Sequence, residues 1–366
     1  MRIGLIIYGS LKIRTGGYIY DQILVKHFER LGHKVEIISL RERSYSRNLF
    51  DNFFCSINSR IIRSSFDLLL QDGLCHPSLF NINKRLKKYS KFPIVSIFHQ
   101  VLSSQPRKNW QNAIYRNVER QYLASVDAFI FNSKTTRESI KDLIFLRQPH
   151  IIGYPAGDRL ASGVSIKDIK SKAQTRGPLK LLFIGNVLPN KGLHRLIDVL
   201  ALLPAEKWHL TVVGSLSMNS KYAQRIETLI NQKKLSSQIN LIGSKNGPEL
   251  TRYFSRSQVL LMPFSHEGFG IAYIEGMAFG LPAIGSSKGA AKEIIEHGHN
   301  GFLISPENRA SILKYLSQLY EDRDRLVEMS CAAFDTFEAH PKWEDTMELI
   351  HNFLCRLVSG RCRLKL

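Results

Sequence analysis

The chain has 366 residues, 44% of them hydrophobic and 22% charged, which exceeds one ordinary core and implies two domains. No apolar run approaches the roughly 20 residues of a membrane-spanning helix, and five cysteines, an odd number without CxxC spacing, argue against a disulfide framework and a zinc site. The net charge is +20 and lopsided, with 24 Lys and Arg against 11 Asp and Glu in residues 1–150; such a field attracts nucleic acid, an anionic membrane or an acidic acceptor without choosing among them.

Residues 2–8 read as a first strand that ends at Gly9-Ser10. The run is short, follows only Arg2 and lacks a small-residue cleavage site, so it is not a signal peptide and the expected location is the cytoplasm. Thr15-Gly16-Gly17 then precedes apolar residues at helical spacing from Ile19 to Leu31, and Val35 to Leu40 gives the next strand of a βαβ unit. Gly16-Gly17 lets a backbone approach a phosphate, but taken alone it is a weak signal, neither GxGxxG nor GxxxxGK[ST]. Residues 41–63 interleave Arg41, Arg43, Arg47, Arg60 and Arg63 with Leu49, Phe50, Phe53, Phe54 and Ile57. This reads first as a helix that packs its apolar face on the sheet, and second as one that lies on a membrane surface. Lys84 to Lys91 and Arg107-Lys108-Asn109-Trp110 add basic clusters. Phe66 to Leu70 and Phe92 to Phe98 are strands, the second ending at His99, where ligands collect in open α/β sheets. Val126 to Phe131 is a further strand, and residues 1–155 form the first domain.

Residues 156–178 lack a sustained apolar period and read as an interdomain connection. Leu179 to Ile184 is a strand, and Gly185 to Gly192, with Asn186 and Lys191, is the loop into a helix over Leu193 to Leu203. Strand and helix alternate onward through Trp208–Val213 and Ile239–Ile242 to the apolar run Val259–Phe264. Ser265-His266-Glu267-Gly268-Phe269-Gly270 follows, and a helix is expected from Phe269 toward Phe279 with Glu275 inside it. The N–H groups of Gly268, Phe269 and Gly270 at that helix start suit a phosphate or oxyanion. An isolated Glu-x7-Glu pair is more often a loop Glu and a solvated helical one. Asp322-Arg323-Asp324 lies in a helical region and reads as a charged helix face instead of a metal motif. The second domain spans residues 179–340, and a last helix with a basic tail spans 341–366.

Glu267-Gly268-Phe269-Gly270, Glu275-Gly276-Met277-Ala278, Gly280-Leu281-Pro282-Ala283 and Asn300-Gly301-Phe302-Leu303 together resemble the nucleotide-sugar domain of group 1 (family four) retaining glycosyltransferases. The resemblance implies an α/β fold of GT-B type: two Rossmann-like domains facing a central cleft, the last helix crossing back to the first domain. It also implies transfer of a sugar from a UDP- or GDP-sugar to a hydroxyl acceptor, for which a lipid-linked or cell-surface glycan intermediate is the guess. It places Gly16 and Gly17 against the donor diphosphate and His99 against the donor sugar. It gives Lys191 the role of neutralising the leaving diphosphate, Glu267 and the N–H groups of Gly268, Phe269 and Gly270 the sugar hydroxyls, and Glu275 the ribose. The family carries an Arg where this chain has Asn186, which brings no charge or bidentate fork and weakens the phosphate clamp. No cofactor and no catalytic metal are implied. The rival readings are a phosphorylase or epimerase, and a nucleic-acid- or membrane-binding protein on an inactive transferase scaffold. Carboxylates in the candidate site oppose a polyphosphate track, so no nucleic acid partner is expected; an anionic membrane on the inner face is a further candidate partner.

Overall fold

A computed structural model describes residues 1–360 except Arg14, 54–60, Arg63, Pro106, Ala161, Ser162, Ser265 and His266. The basic tail 361–366, part of the 41–63 segment (Arg60, Arg63, Phe54, Ile57) and the Ser265-His266 step lie outside the described residues. The chain forms two units, Met1–Pro155 with Glu344–Leu366, and Ala156–Trp343.

In the first unit β1 (Arg2–Tyr8), β2 (Lys34–Leu40), β3 (Leu68–Asp72), β4 (Ile94–Phe98), β5 (Ala128–Phe131) and β6 (His150–Ile152) form one sheet in the order β2-β1-β3-β4-β5-β6. Every pairing is parallel. Parallel strands covered on both faces carry unbroken apolar runs, and β3, β4 and β5 are accordingly buried at every residue. Gly4 sits where a Cβ would come within 2.8 Å of the Phe66 ring, so the glycine lets that ring lie flat on β1. The Gly16–Arg30 helix starts at Thr15, whose side chain accepts from the Tyr18 N–H. It buries Tyr20, Leu24 and Phe28 at 0% exposure, each such side chain contributing about 1.5–3 kcal/mol.

The Trp343–Val358 helix belongs to this unit from Glu344 onward. Ile350 packs at Gly153, where a Cβ would lie 2.9 Å from its Cδ1 and 2.5 Å from the Tyr20 hydroxyl. Thr346 Oγ1 donates to the Tyr154 carbonyl at 2.7 Å, Arg30 pairs with Glu344 at 2.5 Å, and the Nε2 atoms of His33 and His351 are 2.8 Å apart.

In the second unit β7 (Leu179–Ile184), β8 (Trp208–Val213), β9 (Ile239–Gly243), β10 (Val259–Met262), β11 (Ala283–Ser286) and β12 (Gly301–Ile304) form a second parallel sheet, ordered β12-β11-β10-β7-β8-β9. Trp208 and Phe183 fill its core, and Phe254 stacks on Phe279 with ring centroids 5.3 Å apart.

Several expectations change. Residues 156–178 are not a bare connection: an Ile166–Gln174 helix, capped by Ser165, buries Ile169 and Ala173, a nine-residue element too short to show a period in sequence. Within 41–63 the described residues include a Tyr45–Leu49 helix and a 3-10 turn Phe50–Phe53 that leaves Phe50 and Phe53 exposed, while Ile61 is buried in the core. Asp322-Arg323-Asp324 is not a continuous charged face. Asp322 caps the Arg323–Ala339 helix by accepting from the Arg325 N–H at 2.8 Å, and Arg323 is buried, donating to the Gly177 carbonyl at 2.6 Å. The helix over Leu193 stops at Leu200, and the one after Gly270 spans Ile271–Met277.

Candidate active site

Ligands of open α/β sheets bind beyond the carboxyl ends of the strands where strand order reverses. In the second unit that reversal lies between β7 and β10, and the loops leaving those strands carry Lys191 and Glu267. Lys191 Nζ donates to Glu267 Oε1 at 2.5 Å, with side chains 22% and 16% exposed. Lys191 ends a 3-10 turn, and Gly192 turns the chain into the next helix at φ 68°. A Cβ on Gly192 would lie 2.4 Å from the Phe264 Cβ, so only glycine lets the two loops close on each other. The loop after β11 joins them: the Ala290 N–H donates to the Glu267 carbonyl at 3.0 Å, and Gly289 lies against the same carbonyl. Three loops therefore fix Glu267.

Gly268, Phe269 and Gly270 continue this loop. Phe269 is buried, its ring centroid 5.8 Å from that of His340, and Gly270 holds φ 90° against the Tyr273 ring. Asn186 Oδ1 accepts from the Ser215 N–H at 3.0 Å, stitching the loop after β7 to the one after β8.

Glu275 behaves differently from Glu267. It is 2% exposed and its carboxylate takes an ion pair from Arg159 Nε. Burial raises the Glu275 pKa, and the guanidinium pulls it back only in part. Arg159 belongs to the stretch expected to be a connection; Gly157 presses that stretch onto the Ile274 carbonyl, where a Cβ would be 2.6 Å away. The sequence therefore placed both glutamates toward one ligand, whereas the structure gives each its own cation. Nothing local marks Arg159, because its partner is 116 residues away.

In the first unit the reversal lies between β1 and β3. Gly17 packs flat against His99, a Cβ there falling 3.0 Å from the ring Cδ2; Gly16 opens the same helix. His99 Nε2 lies 3.4 Å from Asp21 Oδ1, the Tyr20 ring meets His99 edge-on at 5.3 Å, and Asn132 Nδ2 donates to the His99 carbonyl at 2.9 Å. Asp72, the last residue of β3, is 1% exposed and accepts from the Leu74 N–H at 2.9 Å. Sequence reading missed Asp21 and Asp72. The available signals were a carboxylate on the buried stripe of the Gly16–Arg30 helix and another at a strand end beside the glycine loop.

Residues 165–335 match the family described as glycosyl transferases group 1. That stretch is similar to the group 1 glycosyl transferases. Among curated relatives, D-inositol 3-phosphate glycosyltransferase of Pseudarthrobacter chlorophenolicus is 29% identical over 161 residues, 43% of this chain and 38% of that protein. The match thus spans well under two thirds of the relative. Among solved structures, sucrose-phosphate synthase from Thermosynechococcus elongatus superposes with a TM-score of 0.82 at 18% identity, covering 98% of this chain and 100% of that one. Anabaena Alr3699/HepE in complex with UDP and glucose gives 0.75 at 16% identity, over 97% and 99%. These likenesses give the chain a GT-B-type fold along its whole length. The family match covers the unit with the Lys191–Glu267 pair, while the Asp21, Asp72 and His99 cluster lies outside it.

Proposed function

We propose that this chain transfers a sugar, with retained anomeric configuration, from a nucleoside diphosphate sugar to a hydroxyl acceptor. The observation that carries the reading is the Lys191–Glu267 pair, set by three loops at the strand-order reversal of the second unit. A lysine ammonium there neutralises charge that grows on a departing diphosphate, a stabilisation larger in the transition state than in the ground state. Glu267 orients that ammonium and accepts from sugar hydroxyls, beside the Gly268, Phe269 and Gly270 amides. Glu275 accepts from the ribose once Arg159 yields or shares its carboxylate. UDP is the first candidate, since the Anabaena neighbour binds UDP and glucose, and GDP the second. The chemistry proposed needs neither cofactor nor catalytic metal.

The acceptor is proposed to be anionic, a lipid-linked or cell-surface glycan intermediate. The basic first unit suits it, as does the inositol phosphate named for the Pseudarthrobacter relative. Exposed Phe50, Phe53 and Trp110, with Arg47, Arg107 and Lys108 beside them in sequence, support association with an anionic inner membrane face; among the described residues no helix is long and apolar enough to cross one. The carboxylates at both strand-order reversals oppose nucleic acid binding.

Calorimetry with UDP, GDP, ADP and their sugars tests the reading. Selective binding of one base, weakened about tenfold or more, near 1.4 kcal/mol, in Lys191→Ala is the expected result. Glu275→Gln is expected to weaken the nucleoside diphosphate as well, and unchanged affinity removes its ribose role. No binding to any nucleotide or its sugar would overturn the donor assignment.

A further inference from the structure

We propose that Asp21 and Asp72 are positioning residues that hold the His99 ring as an imidazolium, so that its Nδ1–H is presented as a charged donor to an oxygen of the sugar or phosphate ligand bound beside the unit 1 glycine loop. The functional half of this inference rests on the sugar-transfer reading above, whereas the charge state of His99 does not.

The geometry is that of a built site. His99 lies one residue beyond the carboxyl end of β4, Asp72 ends β3, and Asp21 comes from the helix that follows the glycine loop of β1, so three neighbouring elements converge. Asp21 is wholly buried; Oδ1 faces His99 Nε2 at 3.4 Å, and Oδ2 has no hydrogen-bond partner among the described residues. A buried carboxylate oxygen left unpaired lowers stability, and such arrangements persist where the charge serves a site. Gly17 and the Tyr20 ring fix the imidazole on two sides.

Among the described residues, the charges that bear on His99 are those of Asp21 and Asp72. Burial opposes the charged ring, yet the Asp21 hydrogen bond and the two carboxylates together outweigh it and raise the His99 pKa above its ordinary value. Asp72 pays for its own burial and for the neighbouring Asp21 with a pKa raised to about 7, which His99 and the Leu74 N–H pull downward. With the Nε2–H given to Asp21, the ring proton on Nδ1 is the one left for a ligand, and a carbonyl, hydroxyl or phosphoryl oxygen is what it recognises.

The test combines a spectrum with kinetics. In full-length protein carrying 15N-labelled histidine, the His99 signals are assigned by their loss in His99→Gln and followed with pH. The expected result is a midpoint above 6.5 in the wild type that falls in Asp21→Asn and, by less, in Asp72→Asn. A wild-type midpoint at or below 6.5, or a midpoint that neither variant moves, overturns the proposal. The wild-type titration decides even if a variant fails to fold. The high-pH limb of kcat/KM, which reports the free enzyme, is expected to move lower in Asp21→Asn by the same interval, about tenfold in rate per unit at a fixed pH above it. A variant that lost activity with an unmoved limb would have been merely structural and would also overturn it. Wild-type protein that turned over no nucleotide sugar would sink the transfer reading, and the nitrogen spectrum would still decide the charge on His99.

Discussion

Arg159 and Lys172 are cations of the second unit with opposite electrostatic positions. Arg159 neutralises Glu275, whose pKa burial has already raised. Removing Arg159 leaves the buried Glu275 carboxylate without its cation; with the guanidinium side chain 25% exposed, water offsets part of the loss, to about 1–3 kcal/mol. Arg159→Met is therefore expected to lower the urea midpoint at pH 7.5, and Arg159→Met with Glu275→Gln to recover much of the loss; a double variant no more stable than the single one would show that the pair is not what anchors the segment. Lys172 has no carboxylate partner among the described residues: Nζ donates to the Phe279 carbonyl at 2.7 Å, and burial lowers its pKa to about 7. The folded state thus binds fewer protons than the unfolded chain between about pH 7 and 10.5, so stability rises with pH across that window. Lys172→Met is expected to flatten this rise, measured as urea midpoints at pH 7 and pH 9.5.

At the scale of elements, the C-terminal helix is attached to the first unit by groups that prefer to be neutral. His33 is held between the Met1 amino group at 2.9 Å and His351 at 2.8 Å. Burial, then the N-terminal charge, then His351 lower its pKa, and burial is also the first cause for His27, with the Glu344 carboxylate opposing. A base whose folded pKa lies below its unfolded value gives stability that is complete above about 6.5 and lost as pH falls through the folded value. The unfolding midpoint of the first unit is expected to fall between about pH 6.5 and 5 more steeply in the wild type than in His33→Asn. An equal slope would assign the acid sensitivity elsewhere. On the same helix Ile350 is 0% exposed, and Ile350→Ala is expected to cost about 2–5 kcal/mol, read as a loss in the first unit's transition. The Ile166–Gln174 helix depends on Gly280, at φ 65° with a Cβ position 2.4 Å from Ile169, so Gly280→Ala is expected to displace it.

For the whole molecule, what the sequence made legible follows from how far apart the interacting residues stand. The strands of both sheets announce themselves as apolar runs buried on both faces, and the turn from strand to helix at Gly16-Gly17 and at Gly192 is a local matter of backbone freedom. Lys191 and Glu267 were recognisable because each sits in its own glycine-bearing loop. Arg159, Asp21 and Asp72 were not, since their meaning comes only from partners on other elements: Arg159 from Glu275, Asp21 from a histidine 78 residues away. The Ile166–Gln174 helix escaped because only Ile169 and Ala173 are buried, too few to make a period. The connection of charge to partner is also a property of the whole chain, as the excess of basic residues is concentrated in its first 150.

Because the first unit is completed by Glu344–Leu366, it cannot be finished until the second unit has been made. Its first 155 residues leave the ribosome before the intervening second unit, roughly 190 residues that take on the order of 10–40 s at 5–20 residues per second. During that interval the second unit, contiguous in sequence, has all it needs to fold, whereas the seat of Ile350 around Tyr20 and Gly153 stays bare. For these two units, order of synthesis thus runs opposite to order of completion.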